Sequence, residues 1–340
     1  MSMEYPSLDS PTAGAFRFNT DSSQLEIYDG SQWTGLLGSL TPELLTGGTR
    51  GLMAGGANPG YKDIIDYINI TTTGDAVDFG NLLNASYMMS GCASSTRGLF
   101  HGYQGSPAAR DNVIEYVTIS STGNAADFGD MTNIGSSGGQ CWGSSQTRAI
   151  MAIGWICEPS CTATNTINYA TIATTGNAND FGDLTATWAK PSGAFASPTR
   201  WCISGAGTNN IDYVTIATTG NGADFGDLTD GTREEGTGAS NAVRGLFCGG
   251  SGPGTNNTTD YITIASQGDA QDFGDLNNQT ELGAAAASST RVTVGGGTTP
   301  SKIEHIDYFN IATRGNASDF GDRTTTGYGA GSCSNGHGGL

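Results

Sequence analysis

The stretch Ile211–Leu228, IDYVTIATTGNGADFGDL, decides the fold, because the chain carries six versions of it. In each version a tyrosine precedes a phenylalanine by twelve residues: Tyr67 and Phe79, Tyr116 and Phe128, Tyr169 and Phe181, Tyr213 and Phe225, Tyr261 and Phe273, Tyr308 and Phe320. Successive phenylalanines are 49, 53, 44, 48 and 47 residues apart. Length varies between the copies and not within them, which marks a repeated structural unit joined by loops.

Working outward from this stretch, each repeat opens with an arginine and a short apolar run closed by glycine, as in Arg50-GLMAGG, Arg148-AIMAIG and Arg291-VTVGGG. Such a run reads as a buried strand with an abrupt stop. The tyrosine segment is a second strand, and it ends at T-x-G-[ND]-A, where Gly-Asn or Gly-Asp gives a tight turn. D-F-G-[DN] is a third. A segment of small residues, such as Gly283-AAAASS or Gly193-AFAS, leads into the next arginine and makes a fourth.

Four short strands in about 48 residues is the arithmetic of a β-propeller blade. The expected fold is therefore all-β, a six-bladed propeller over residues 41–340. The small-residue strand suits the crowded centre, and the aromatic residues suit the wider flanks between blades. The first repeat lacks a small-residue strand of its own, whereas Thr326-GYGAGSCSNG follows the sixth with no blade after it. The C-terminal segment should complete the first blade, since an open ring would leave unpaired backbone groups at a sheet edge.

Composition bounds the function. The 340 residues include 53 glycines and carry a net charge of -18 with 14 Lys plus Arg, which excludes a phosphate-binding surface for nucleic acid as the main expectation. No apolar run approaches the roughly 20 residues that span a bilayer, and no charged-then-apolar leader opens the chain, so a soluble product made in a cytoplasm is expected. The seven cysteines follow no single repeat position. Cys157 and Cys161 can bridge or bind metal, but C-x3-C without partner histidines is weak, and free thiols are the expectation.

D-F-G also occurs in protein kinases, but here it appears without their other motifs, so Phe reads as core. Asp127, Asp180, Asp224, Asp272 and Asp319 recur with Arg97, Arg148, Arg200, Arg244 and Arg291, which suggests one Asp–Arg pair per repeat. The acidic turns offer part of a calcium site, although Asx turn-capping explains the same residues, and no cofactor is expected. His101, His305 and His337 fall at different repeat positions, which does not suit a copper oxidase, and the regular arginines do not suit a sialidase. No enzyme activity is expected.

Function is expected where the repeat is broken. The long connections at 102–113 and 154–166, and the tryptophans of the third and fourth repeats, make Tyr103, Trp142, Trp155, Trp188 and Trp201 the candidate surface-binding residues. Buried tryptophans filling gaps between blades are the competing reading.

Ahead of the repeats, Gly14–Trp33 reads as a β-hairpin, with Phe16, Phe18, Leu25, Ile27 and Trp33 as its apolar residues and residues 1–40 as a separate segment with a linker. A two-stranded hairpin is marginal alone, so these residues are candidate attachment positions.

Two resemblances follow from these motifs. The order of small-residue strand, arginine strand ending in Gly-Gly, aromatic strand and later aromatic residue, over Arg50 to Leu340, resembles the kelch-type propeller family, with Phe where kelch repeats usually have Trp. The segment GAFRFNTDSSQLEIYDGSQW resembles a short element of tail-fibre and other virion proteins of tailed bacteriophages. Together they imply a virion structural protein, on the outer surface of the particle and made in the host cytoplasm. It would be held by other virion proteins through its N-terminus and would meet a host glycan or receptor through the propeller, as a monomer or a homo-oligomer. A lectin or a galactose-oxidase-like enzyme is the alternative.

Overall fold

The computed structural model describes residues 11–19, 24–28, 30–35, 48–104, 112–133, 141–157, 160–188, 190–205, 207–252, 256–298 and 301–336. These residues are all-β, antiparallel throughout their ladders, with no helix among them. The chain divides into two compact units, Met1–Glu43 and Leu44–Leu340, slightly beyond the boundary expected at residue 40.

The small unit is a three-stranded sheet and not the expected two-stranded hairpin. Phe16–Asn19 pairs with Gln24–Tyr28, which pairs with Trp33–Gly35. The third strand forms because Gly30 adopts a φ of 104°, turning the chain so that Trp33 faces Tyr28, with ring centroids 5.4 Å apart. Arg17 lies over the Trp33 ring at 4.4 Å and pairs with Glu26 at 2.6 Å.

The large unit is built from six four-stranded repeats. In the fourth, the sheet order is Pro191–Ala196, Arg200–Gly205, Asn210–Thr215, Ala223–Asp227, which is also chain order. The first repeat takes its first strand from the other end of the chain: Gly331–Ser334 pairs with Arg50–Ala54, as the sequence led us to expect. The first two repeats merge into one seven-stranded sheet, because Val77–Ala93 runs unbroken as the last strand of one and the first strand of the next. Residues 81–90, NLLNASYMMS, contain no glycine or proline to interrupt it.

D-F-G is a bulge. Ile211 is opposite Gly226 and Asp212 opposite Asp224, so Phe225 is the extra residue, and the same irregularity recurs in all six repeats. The bulge turns Phe into the core, where Phe225 is 3 % exposed and meets Tyr213 edge to face at 5.8 Å. It also bends the strand so that its glycine touches the next repeat. Gly226 has a φ of 149°, and a Cβ placed on it would stand 2.5 Å from the backbone of Gly268.

Contacts between neighbouring repeats run in one direction and come back to their start. The turn glycine of each repeat donates its N–H to the phenylalanine carbonyl of the repeat before it, at 2.8–2.9 Å, and Gly74 of the first repeat donates to Phe320 of the last. The adjoining Asn or Asp side chain accepts a second backbone N–H of the same neighbour at 3.1–3.2 Å, with Asp75 closing the series on Asp322.

The repeat arginine makes a third series. Its guanidinium lies 4.4–4.6 Å from the tyrosine ring of its own repeat. Nη1 donates to an isoleucine carbonyl of the next repeat, from Arg50 to Ile119 through to Arg291 on Ile70. This corrects the expected Asp–Arg pairing: among the described residues no ion pair joins these groups, because Asp127, Asp180, Asp224, Asp272 and Asp319 face solvent on a different strand.

The first strands also touch in a closed series around one cavity. Their small residues permit the approach, and serine hydroxyls join them: Ser144 donates to the Ala93 carbonyl, Ser240 to Ala196 and Ser334 to Ala287, at 2.5–2.7 Å. Carbonyls that no ladder partner reaches are thereby satisfied.

Two stability measurements check this account. Gly226→Ala should cost about 1–3 kcal/mol in denaturant unfolding, as expected for an overpacked contact, while Gly268→Ala, at a similar φ of 147° but with nothing within 4 Å, should cost less. Equal costs would mean that backbone strain, not the close approach, requires the glycine. Removing residues 326–340 should lower the melting temperature of the whole large unit, and a shortened protein melting with the intact one would show that Gly331–Ser334 is not a structural strand.

Candidate functional site

The structure separates the five candidate surface-binding residues. Trp142, Trp188 and Trp201 are 3 %, 2 % and 0 % exposed and lie in the cores between repeats. This corrects the surface expectation: the indole of Trp201 rests on Gly143 of the preceding repeat, where a larger residue would collide. Trp155 is half-buried in a separate two-stranded ribbon, Trp155–Cys157 with Cys161–Ala163. Tyr103 stands in the strand Arg97–Gln104, its backbone opposite Tyr87, and its side chain is outside the described residues.

Of the candidate attachment residues, Phe16 is 59 % exposed, Ile27 and Trp33 are half-buried, and the side chains of Phe18 and Leu25 are outside the described residues. The side chains of Cys157 and Cys161 are outside them too, although the two backbones are directly opposite. His337 is likewise outside. His101 is buried, stacks on Trp142 at 6.0 Å and lies 2.8 Å from the Val113 carbonyl; burial pushes its pKa down to about 4, so it is neutral.

The central cavity has a volume of about 100 Å³ and is walled by backbone and by small residues of the first strands. Cys92 and Cys141 line it as free thiols that burial pushes up to about 12, which leaves them protonated and poor nucleophiles. At its rim Met88, Glu235 and Leu282 adopt φ values of 51–56°, and Gly329 one of 67°. The amide of Leu282 donates to Glu235, Gly329 to Leu282 and Met89 to Gly329, so the rim backbone satisfies itself.

A second cluster lies where the repeat is interrupted. The pairs Lys62–Ser86, Ser86–Gln104 and Tyr87–Tyr103 carry the sheet beyond the length of an ordinary repeat. Tyr61 and Tyr87 stack there, with centroids 5.1 Å apart and planes within 2°, and Tyr328 meets Tyr87 edge-on at 5.8 Å. Lys302 Nζ lies 5.1 Å over the Tyr328 ring and 3.5 Å from Asn58 Oδ1. Asn58 Nδ2 donates to the Thr326 hydroxyl at 3.0 Å, and Lys62 Nζ to the Thr326 carbonyl at 2.9 Å. Tyr61 is 40 % exposed. Lys62, Lys190 and Lys302 are the only lysines in the sequence, and two of them are here.

A ring of buried polar side chains escaped the sequence reading. Asp66, Glu115, Asn168, Asp212, Asp260 and Asp307 occupy one position of the tyrosine strand, and all are buried. Each receives a hydrogen bond from the preceding repeat, such as Thr185 N–H to Asp212 at 2.8 Å and Asn277 N–H to Asp307 at 2.9 Å. Arg323 pairs with Asp66 at 3.3 Å, and Arg233, itself 1 % exposed, pairs with Asp260 at 3.1 Å. The signal was present as [IT]-[DEN]-Y, with a polar residue recurring inside an apolar strand.

Burial raises the pKa of Asp212, Asp260 and Asp307 above the ordinary 3.8. The native state therefore holds these protons more tightly than the unfolded chain, and stability falls as pH rises from 3.8 through the raised native values. Acidification from neutral pH through that window should raise the melting temperature, helped by relief of the net charge of -18. Asp212→Asn, which copies the residue found at Asn168, should show a smaller rise, and equal rises in both proteins would exclude Asp212 as a contributor.

No family model matches the chain, and no curated protein shows significant similarity to it.

Proposed function

We propose that the six repeats are the blades of a six-bladed β-propeller, and that the protein is a structural, adhesive component of a bacteriophage virion. The propeller reading is supported by the interrepeat contacts that return from the last repeat to the first, and by the first strands grouped around one cavity. A closed ring of this kind is a rigid support for variable loops.

The observation that carries the virion reading is the division of the chain. A small three-stranded unit bears the segment whose motif we read as resembling tail-fibre proteins, and a large unit contains all the repeats. In this reading Met1–Glu43 is held by other virion proteins and the propeller meets the host surface. The conspicuous repeated groups serve cohesion: arginines bond to carbonyls, and buried carboxylates accept backbone N–H groups. Recognition without turnover fits that use better than catalysis. A carbohydrate-binding role, the alternative class, is favoured by one observation, the tyrosine cluster, and is compatible with host attachment.

Antibodies against the large unit should label the outside of phage particles that encode this chain. A protein beginning at Leu44 should fold with the melting temperature of the large unit yet be missing from particles. Particles that incorporate the shortened protein normally would rule out attachment through the small unit.

A further inference from the structure

We propose that the cluster of Tyr61, Tyr87 and Tyr328 with Lys62 and Lys302 is a binding site for an anionic saccharide, one built of pyranose rings bearing carboxylates. The proposal rests on the reading of the large unit as a recognition surface and names the chemistry that this surface takes.

Three features of the site point to this ligand. The first is shape and polarity. A pyranose presents C–H bonds on its flat faces and hydroxyls around its rim, so it needs an aromatic platform edged by hydrogen-bonding groups. The parallel Tyr61–Tyr87 pair with Tyr328 set across it supplies the aromatic surface, and Tyr61 is 40 % exposed. Asn58 and Thr326 supply amide and hydroxyl groups beside it. The negative faces of the rings attract polarised C–H groups and cations alike.

The second is charge. A chain of net charge -18 has three lysines, and Lys62 and Lys302 both border this platform. Their ammonium groups give local positive charge on an otherwise acidic protein, which favours a carboxylated sugar over a neutral one and speeds its approach. Lys62 is already partly withdrawn from water: burial first, then the charge of Arg323, lowers its pKa. An anion at the site would offset both effects.

The third is position. The platform lies where the sheet of Lys62–Asn69, Val77–Ala93 and Arg97–Gln104 extends past the repeat and where the first repeat meets the segment that follows the last: Ala57 bridges both Tyr61 and Tyr328. Among the described residues the corresponding strands of the other repeats lack the extension, so the site is not a by-product of the repeat.

The test uses the full chain and measures binding to oligogalacturonate and to oligosialic acid, with a neutral oligogalactose and oligoglutamate as comparators. Both acidic sugars share the carboxylated pyranose, and the stronger ligand identifies which source the site prefers. At least one should bind about tenfold more tightly than the neutral sugar, and its affinity should fall with added salt. Tyr61→Ala should weaken binding about tenfold or more with an unchanged melting temperature, Tyr61→Phe should retain it, and Lys302→Gln should weaken the acidic sugars while leaving the neutral one unaffected.

The proposal is overturned if neither acidic sugar binds, if the neutral sugar binds equally well, if Tyr61→Ala binds like the unaltered protein, or if oligoglutamate binds as tightly, which would make this an acidic-peptide site. Attachment to host cells, measured in parallel, separates the two levels. Cell attachment by a protein that binds neither acidic sugar removes the saccharide site and leaves the attachment function standing, whereas saccharide binding without cell attachment does the reverse.

Discussion

The large unit depends on one backbone hydrogen bond made six times, from the turn glycine of a repeat to the phenylalanine carbonyl of its neighbour. It can form only if two main chains come within contact of each other, and the residue after each of these phenylalanines is a glycine for that reason. At the bulge a side chain would strike the neighbouring backbone, as at Gly226 against Gly268. The turn glycine supplies the other surface of the contact. Once this approach is fixed, the Asx side chain, the arginine and the buried carboxylate each find a partner in the adjoining repeat. Four polar links therefore accompany each apolar interface, and none involves a free charge facing a bare core.

This arrangement explains a composition that looks unpromising for a folded protein. Glycine and serine are abundant because strands must meet closely near the central cavity, where side chains larger than alanine or serine have little room. Most of the bulky residues lie on the flanks, as the repeat phenylalanines and tyrosines do, while Trp142, Met88 and Met89 border the cavity itself. Trp188 and Trp201 share one core, in which Ala194 and Ala196 are the small partners. Size is redistributed between strands while the interface remains filled.

Much of this was legible in the sequence. The six versions of Ile211–Leu228 announced the repeat, G-[ND]-A and D-F-G located its turns, and the unmatched small-residue segment near Tyr328 announced the pairing with Arg50–Ala54. Side-chain destinations were less legible. Tryptophan at a repeat interruption reads equally well as surface or filler, and burial decided for filler at Trp142, Trp188 and Trp201. The arginine was assigned to aspartate by charge, when a carbonyl and a tyrosine ring were nearer. The tyrosine cluster did leave a trace. Six of the twelve tyrosines hold the repeat position, and of the others Tyr61, Tyr87 and Tyr328 converge, with Tyr103 opposite Tyr87 in the ladder. Convergence of residues so distant in sequence follows from the meeting of the first and last repeats, and no local pattern shows which tyrosines that meeting brings together.

That meeting has a temporal side. Synthesis delivers Arg50–Ala54 long before Gly331–Ser334, and the amide of Arg50 waits for Asn335, 285 residues downstream. Until Gly331–Ser334 has been made, the first repeat has a bare edge at Arg50–Ala54. The intermediate repeats can stack as they emerge, each on the one before, since their links are to adjacent repeats. Until then the first and last repeats present complementary unpaired surfaces, and Gly331–Ser334 covers the edge of Arg50–Ala54. While that edge is open, the same surfaces can pair between two chains as readily as within one.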